Sequence, residues 1–141
     1  MTPVIAQAAP LSYARRMRQP PSAPALAALL REQHELEGRI CARDLTMEDT
    51  LAAGRLLLAF AEREGDAFAA LAPLLDPVAQ AELSAEHRQI AEDLALLEWL
   101  LAADRDAADA AVLSASLASR MRHHVARDGR LLSRAAILAR G

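Results

Sequence analysis

Five aliphatic residues and one histidine in the segment from residue 83 to residue 101 recur at alternating spacings of four and three. The stripe comprises Leu83, His87, Ile90, Leu94, Leu97 and Leu101. At 3.6 residues per turn, this spacing places all six side chains on one face of an α-helix that packs against partner helices. The segment is therefore predicted to be a helix whose buried face contains a histidine.

Three further segments carry stripes at helical spacing, and helix-start and helix-stop signals separate them. The four predicted helices run from residue 23 to about 44, from 47 to 72, from 77 to about 103 and from about 107 to about 139. Three short connections between long helices favour antiparallel neighbours. The composition is rich in Ala and Leu and contains only 3% aromatic residues, so few residues favour β-sheets. We therefore expect an all-α, antiparallel up-down-up-down four-helix bundle over residues 23–141.

Residues 1–22 contain four prolines, at positions 3, 10, 20 and 21, and no apolar stripe. Proline removes a backbone donor and blocks helix propagation, so this segment is predicted to hold at most a short helical turn. We interpret it as an N-terminal arm, either a tail that lies on the bundle or a basic contact for an acidic partner.

The charge balance and the cysteine count restrict the class of protein. All 16 basic residues are arginines, 19 acidic residues oppose them, and the net charge of −3 gives no drive toward nucleic acid. The single cysteine, Cys41, is interpreted as a small buried hydrophobe, and no apolar run is long enough to cross a bilayer. We read no export signal in the first ten residues, so a cytoplasmic protein without a membrane partner is expected.

Each predicted helix places at least one polar residue on its inward stripe. The stripes are Leu26, Leu30, His34, Glu37 and Cys41 in helix 1, Leu57, Phe60, Glu64, Phe68 and Leu71 in helix 2, and Leu117, Met121, His124, Asp128, Leu131 and Ala135 in helix 4. Buried ionisable groups are costly unless something compensates them, and a metal ion would compensate all of them. Imidazole and carboxylate are ligands that suit iron, manganese or zinc.

The order and spacing of these residues resemble the hemerythrin-like (HHE cation-binding) family. The likeness rests on His34 in helix 1, the pair Glu86 and His87 in helix 3, and the histidines before Asp128 in helix 4, and it covers residues 23–139. An internal echo between residues 60–65 and 124–129 agrees with a family whose second and fourth helices carry related motifs. The resemblance implies a non-haem iron site and a metal-ligand set of His34, Glu64, His87, His124 and Asp128.

The chain departs from that family in helix 2, where members carry a His followed four residues later by a Glu. If Glu64 is that Glu, then Phe60 stands where the family has His; in the other register the pair becomes Ala59 and Arg63. Helix 4 offers either His123 or His124 as the partner of Asp128. The helical stripes favour Phe60 with Glu64, and His124 with Asp128.

The distance of each residue from the predicted turns indicates which side chains can meet. Glu64, His87 and His124 lie at matching levels of the predicted bundle. His34 lies nearer its turn than Glu64 by roughly seven residues, about 10 Å at the helical rise, and is expected in another layer. We therefore predict one weakly held ion between helices 2, 3 and 4.

Three functions are compatible with these features. The first is a cation-binding protein, rather than an enzyme, that binds one iron, manganese or zinc ion and binds or senses oxygen, nitric oxide, iron or redox state. The second is a metal-free, degenerate bundle that acts as a homodimer or a regulatory partner. The third, a di-iron carboxylate oxidase, is disfavoured because the Glu-x-x-His pairs of those bundles are absent.

Overall fold

The computed structural model describes residues 21–103 and 107–140, and this part of the chain is all-helical. The helices are α1 (Ala23–Ile40), α2 (Met47–Leu71), α3 (Pro77–Ala102) and α4 (Ala107–Arg140), with a short 3-10 segment at Ala72–Leu74 after α2. No strand occurs among the described residues. The predicted all-α class with four bundle helices is confirmed.

Three of the helices begin at residues whose side chains satisfy the first free backbone N–H groups. The Ser22 hydroxyl accepts a hydrogen bond from the N–H of Ala25 at 3.2 Å. Thr46 and Asp49 form a reciprocal capping box, with bonds of 3.0 and 3.1 Å. Asp76 caps α3 immediately before a first-turn proline. These are the positions at which the local sequence predicts helix starts.

Helix α1 ends earlier than the sequence predicts. It stops at Ile40, not near Asp44, and Asp44 itself has a φ of 63°. That left-handed conformation cannot continue a right-handed helix, so residues 41–46 form the connection to α2. Cys41 is exposed at the start of this connection, which corrects the expectation that it is buried.

The predicted N-terminal arm, residues 1–22, lies outside the described residues except for its last two positions. The predicted connection between the third and fourth helices, residues 104–106, also lies outside them.

The inward faces of all four helices pack into one apolar core. Its fully buried members include Leu26, Ile40, Ile90, Leu97, Leu117, Met121 and Leu132. Cross-helix ion pairs join Arg120 to Asp93 and Arg127 to Glu82, so α3 and α4 run antiparallel. Over the ranges that the structure describes, none of the helices combines the length and hydropathy that crossing a membrane requires.

The buried face of α1 differs from the predicted one. His34 is exposed, and the buried residues are Leu26, Gln33, Leu36 and Ile40. The predicted and observed stripes share Leu26 but lie on opposite sides of it. Burying Leu36 and Ile40 removes more apolar surface from water than burying His34 and Cys41, so the observed rotation is favoured. The predicted inward placement of His34 is therefore wrong.

Candidate functional site

Four ionisable side chains from three helices meet inside the apolar core. Glu64 comes from α2, His87 from α3, and His124 and Asp128 from α4; we call these four residues the core polar cluster. Glu64 and His124 are each 1% exposed and Asp128 is 2% exposed. Charged groups are almost never buried to this extent without a partner. The cluster is therefore the feature of the described core that demands a chemical explanation.

The helical phase of each element explains why these side chains point inward. His87 lies between Leu83 and Ile90 in the buried stripe of α3. His124 and Asp128 are four residues apart on α4 and share the face that packs into the core. The cluster is thus fixed by the same apolar stripes that build the bundle.

The two histidine rings of the cluster contact each other. Their centroids are 4.4 Å apart, with an interplanar angle of 62°, which is an edge-to-face arrangement. Burial, together with the neighbouring His124, lowers the pKa of His87 from its ordinary value to about 4, and Glu86 opposes this shift. His87 is therefore neutral near pH 7, and its buried Nε2 atom has no hydrogen-bond partner.

A chain of polar contacts outside the cluster fixes the orientation of His124. The Nδ1 atom of His124 lies 2.8 Å from Oε1 of Glu86, and Nη1 of Arg127 donates to Oε2 of Glu86 at 2.6 Å. The Arg127 guanidinium also pairs with Glu82. When the Nδ1–H group of His124 donates to Glu86, the lone pair on its Nε2 atom is left free for another partner. Arg127 in turn holds Glu86 in place.

The two carboxyl groups of the cluster behave as a coupled pair. Burial raises the pKa of Glu64 well above its ordinary value, and a hydrogen bond to Asp128 and the charge of Asp128 add to the shift. Burial also raises the pKa of Asp128, although a hydrogen bond from Glu64 and the charge of His124 act against this. Both Glu64 oxygens and Asp128 Oδ1 are buried without an N–H or hydroxyl donor from a described neighbour. Glu64 therefore holds a proton that it shares with Asp128.

The predicted ligand set divides into residues that the structure brings together and one that it does not. His87 contacts His124, and Glu64 pairs with Asp128, which lies near enough to His124 for the charge of that ring to affect its pKa. His34 is exposed on α1 and lies outside the cluster. His123, the alternative to His124, is also exposed.

The structure also distinguishes the two registers considered for α2. Phe60 and Glu64 are buried, whereas Ala59 and Arg63 are exposed. The Arg63 guanidinium lies 5.9 Å from the centroid of the Phe60 ring. An apolar ring therefore fills the core position one turn before Glu64.

Gln33 is the polar residue that α1 contributes to the core, and the sequence analysis missed it. Its Nε2 atom donates to the backbone oxygen of Val125 at 2.8 Å and to Oε2 of Glu37 at 3.1 Å. A Cβ atom at Gly129 would lie 2.6 Å from Gln33 Nε2, so the glycine leaves room for this amide between α1 and α4. The spacing of Gln33, Leu36 and Ile40 was the available signal.

The cluster is not a preassembled metal site. Within residues 21–103 and 107–140, no group of three or more His, Cys, Asp or Glu side chains is positioned to hold a metal ion. The donor types nevertheless fit a cation, since three of the four cluster residues retain buried polar atoms without a partner. Comparisons with protein-family models, with curated proteins and with solved structures found no match to this chain.

Proposed function

We propose that the chain is a hemerythrin-like cation-binding protein that holds one transition-metal ion at the core polar cluster. The observation that carries this proposal is a set of four buried atoms without an N–H or hydroxyl partner among the described residues, namely Oε1 and Oε2 of Glu64, Nε2 of His87 and Oδ1 of Asp128. Unpaired polar atoms in an apolar core cost free energy. A cation that accepts their lone pairs compensates all of them together.

The residues that would hold the ion are Glu64, His87, His124 through Nε2, and Asp128. Two imidazoles and two carboxylates suit iron, manganese and zinc, and two carboxylates balance the charge of a divalent ion. When bound, the ion would supply a centre that binds a small diatomic ligand such as oxygen or nitric oxide. Because the four side chains are not already grouped around one point, we expect weaker binding than at a preformed site.

The contacts around the cluster support a binding role for His124. Glu86 accepts from His124 Nδ1, which orients the ring and raises the basicity of Nε2. The Arg127 guanidinium holds the second Glu86 oxygen, so the carboxylate keeps its position when the cluster changes its protonation state. Glu86 and Arg127 are therefore positioning residues in this proposal.

The proposal is limited to one ion because donors for a second are lacking. Phe60 is buried where the resemblance implies a histidine, and His34 is exposed. The up-down-up-down topology of the resembled family is part of the same proposal. The antiparallel pairing of α3 with α4 supports it.

The proposal is tested by measuring bound metal after chelation and separate reloading with Fe(II), Mn(II) or Zn(II). We expect up to one ion per chain, loss of that ion in His87→Ala, and increased metal content in Phe60→His. His34→Ala and His123→Ala are the matched controls, because each removes an exposed histidine. If the controls lose as much metal as His87→Ala, then binding is adventitious and the assigned ligands are wrong.

A second candidate function is a metal-free bundle that acts as a dimer or a regulatory partner. The observation that favours it is that the cluster donors are not grouped around one point, while Glu64 and Asp128 can share a proton. In that case, the parent protein and all four variants contain no metal after reloading. That result would replace the first candidate with the second.

A further inference from the structure

The outer face of α3 exposes two large apolar side chains. Trp99 is 55% exposed and Leu96 is 48% exposed. The flanks of the same helix are engaged within the bundle, because Glu98 pairs with α2 and Asp93 pairs with α4. The outer face lies between these flanks, on the side away from the apolar core. Large apolar side chains that share an exposed face mark interaction surfaces.

These two side chains belong to an exposed stripe that runs along most of α3, which we call the outer stripe. Its members recur at spacings of four and three and are all exposed; they are Ala81, Ala85, Arg88, Glu92, Leu96 and Trp99. Small side chains occupy its first part, large apolar side chains occupy its last part, and two opposite charges lie between them. Neither of these two charged side chains forms an ion pair with a described residue.

The order of side-chain sizes along the outer stripe is complementary to its own reverse. Helix α3 spans Pro77–Ala102, so position 90 lies at its middle. When two copies of α3 pack antiparallel about a two-fold axis at that position, residues equally far before and after it lie level with each other. Trp99 of one copy then lies level with Ala81 of the other, and Leu96 lies within one residue of the level of Ala85. Each large side chain therefore faces a small one.

The two charges of the outer stripe fit the same axis. Arg88 lies two residues before position 90 and Glu92 lies two residues after it, so each guanidinium faces the carboxylate of the other copy. This ion pair occurs twice, because a two-fold interface repeats every contact. A parallel pairing in register would instead place like charges opposite each other. The charges therefore favour the antiparallel arrangement.

We propose that the chain forms a homodimer through the outer stripes of two α3 helices, packed antiparallel about position 90. The small residues let the two helix axes approach to the usual distance of about 8–10 Å while the large apolar side chains fill the space beside them. One helix pair buries less surface than a standard interface, so we expect a dissociation constant on the order of 10 μM. The chain is then mainly monomeric at low micromolar concentration. This contact is independent of the core polar cluster and of bound metal.

The test is sedimentation equilibrium of the full chain from about 1 μM to about 1 mM, a range that brackets the expected dissociation constant. A reversible equilibrium between monomer and dimer is expected, without larger species, because a two-fold interface is closed. The dimer should weaken as salt rises, since the two ion pairs are screened. A chain that stays monomeric over the whole range, or that forms an open series of oligomers, would overturn the proposal.

Charge reversals identify the face that forms the dimer. Arg88→Glu and Glu92→Arg each place like charges opposite each other twice, so each should weaken dimerisation about tenfold. Combining the two substitutions restores opposite charges and should recover most of the parent affinity. Arg130→Glu and Glu62→Arg are the matched controls, because they reverse exposed charges on α4 and α2 and should leave dimerisation unchanged.

Trp99→Ala tests the apolar part of the contact. It should weaken dimerisation about a hundredfold, because the two-fold axis makes one substitution remove two interface anchors. Circular dichroism of each variant confirms that the helices are retained. A dimer that Trp99→Ala leaves intact, or whose affinity the combined charge reversal does not recover, forms through another face and would contradict the proposal.

Discussion

Two layers of the bundle core differ in what burial does to the side chains in them. The apolar layer around Leu97, Leu117 and Met121 is fully buried, and each side chain in it contacts others of its kind. The core polar cluster begins one helical turn along α4 from Met121. Its members Glu64, His124 and Asp128 are also buried, yet several polar atoms of the cluster have no N–H or hydroxyl partner among the described residues. Burial stabilises the first layer and costs free energy in the second. The difference indicates that the second layer does not stabilise the fold in the way that the apolar layer does.

The largest expected change in the free energy of unfolding comes from a substitution in the apolar layer. Leu97→Ala should lower the free energy of unfolding by about 2–5 kcal/mol, because it removes a fully buried side chain and leaves a cavity. Leu96→Ala is the matched control, since the adjacent leucine is 48% exposed. Urea unfolding of both variants measures the difference. Equal losses at the two positions would contradict the assignment of this face of α3 to the core.

A substitution in the core polar cluster is expected to change the free energy of unfolding by a smaller amount, and to raise it rather than lower it. The pKa of Glu64 is higher in the folded chain than in the unfolded chain, so the folded state binds more protons at neutral pH. Stability of the metal-free protein should therefore fall as pH rises above the ordinary carboxyl pKa of about 4.3. Glu64→Gln removes this proton uptake and should stabilise the metal-free chain by about 1–3 kcal/mol at alkaline pH, the usual cost of an unsatisfied buried group.

The measurement for Glu64→Gln is urea unfolding with a chelator present, at about pH 5 and about pH 8. The gain should grow with pH. Glu62→Gln, at an exposed position on the same helix, should change stability little at either pH. A gain that does not depend on pH would show that Glu64 titrates as a solvated carboxyl.

The smallest expected change in stability concerns the side-chain amide of Gln33, which α1 places beside the core polar cluster. Gly129→Ala places a methyl group against Gln33 and should displace it from the Val125 oxygen, at a cost of about 1 kcal/mol. Gly65→Ala, at the corresponding position of the internal echo, meets nothing within 4 Å and should stabilise α2 by about 0.5–1 kcal/mol. Thermal unfolding of the pair is sufficient, and a gain in both variants would show that the Gln33 contact contributes nothing.

The sequence predicted α2, α3 and α4 and the residues of the core polar cluster, because the strongly apolar stripe of each of these helices allows only one choice of buried face. The Leu-rich repeat of α3 fixes the inward position of His87 regardless of what packs against it. The phase of α1 was predicted wrongly because two stripes share Leu26 and each contains a polar residue, either Gln33 or His34. Only the packed bundle, which buries Leu36 and Ile40, selects between them.

Sequence patterns could not predict the contacts around the core polar cluster. Glu86 and Arg127 lie on different helices, and their meeting at His124 depends on how α3 and α4 are aligned along their axes. A cleft at one end of the bundle likewise combines residues 41–50 with residues 111–122 of α4, segments that are far apart in the chain.

The sequence by itself determined that the chain forms helices, where three of them begin, and which polar residues lie on the inner stripes of α2, α3 and α4. These follow from local rules, because capping and a 3.6-residue period depend only on neighbours along the chain. The tertiary structure decided that Gln33 rather than His34 enters the core, that Cys41 is exposed, and that Glu86 orients His124. Those outcomes depend on the rotation and axial position of one helix against another, which the total buried apolar surface sets.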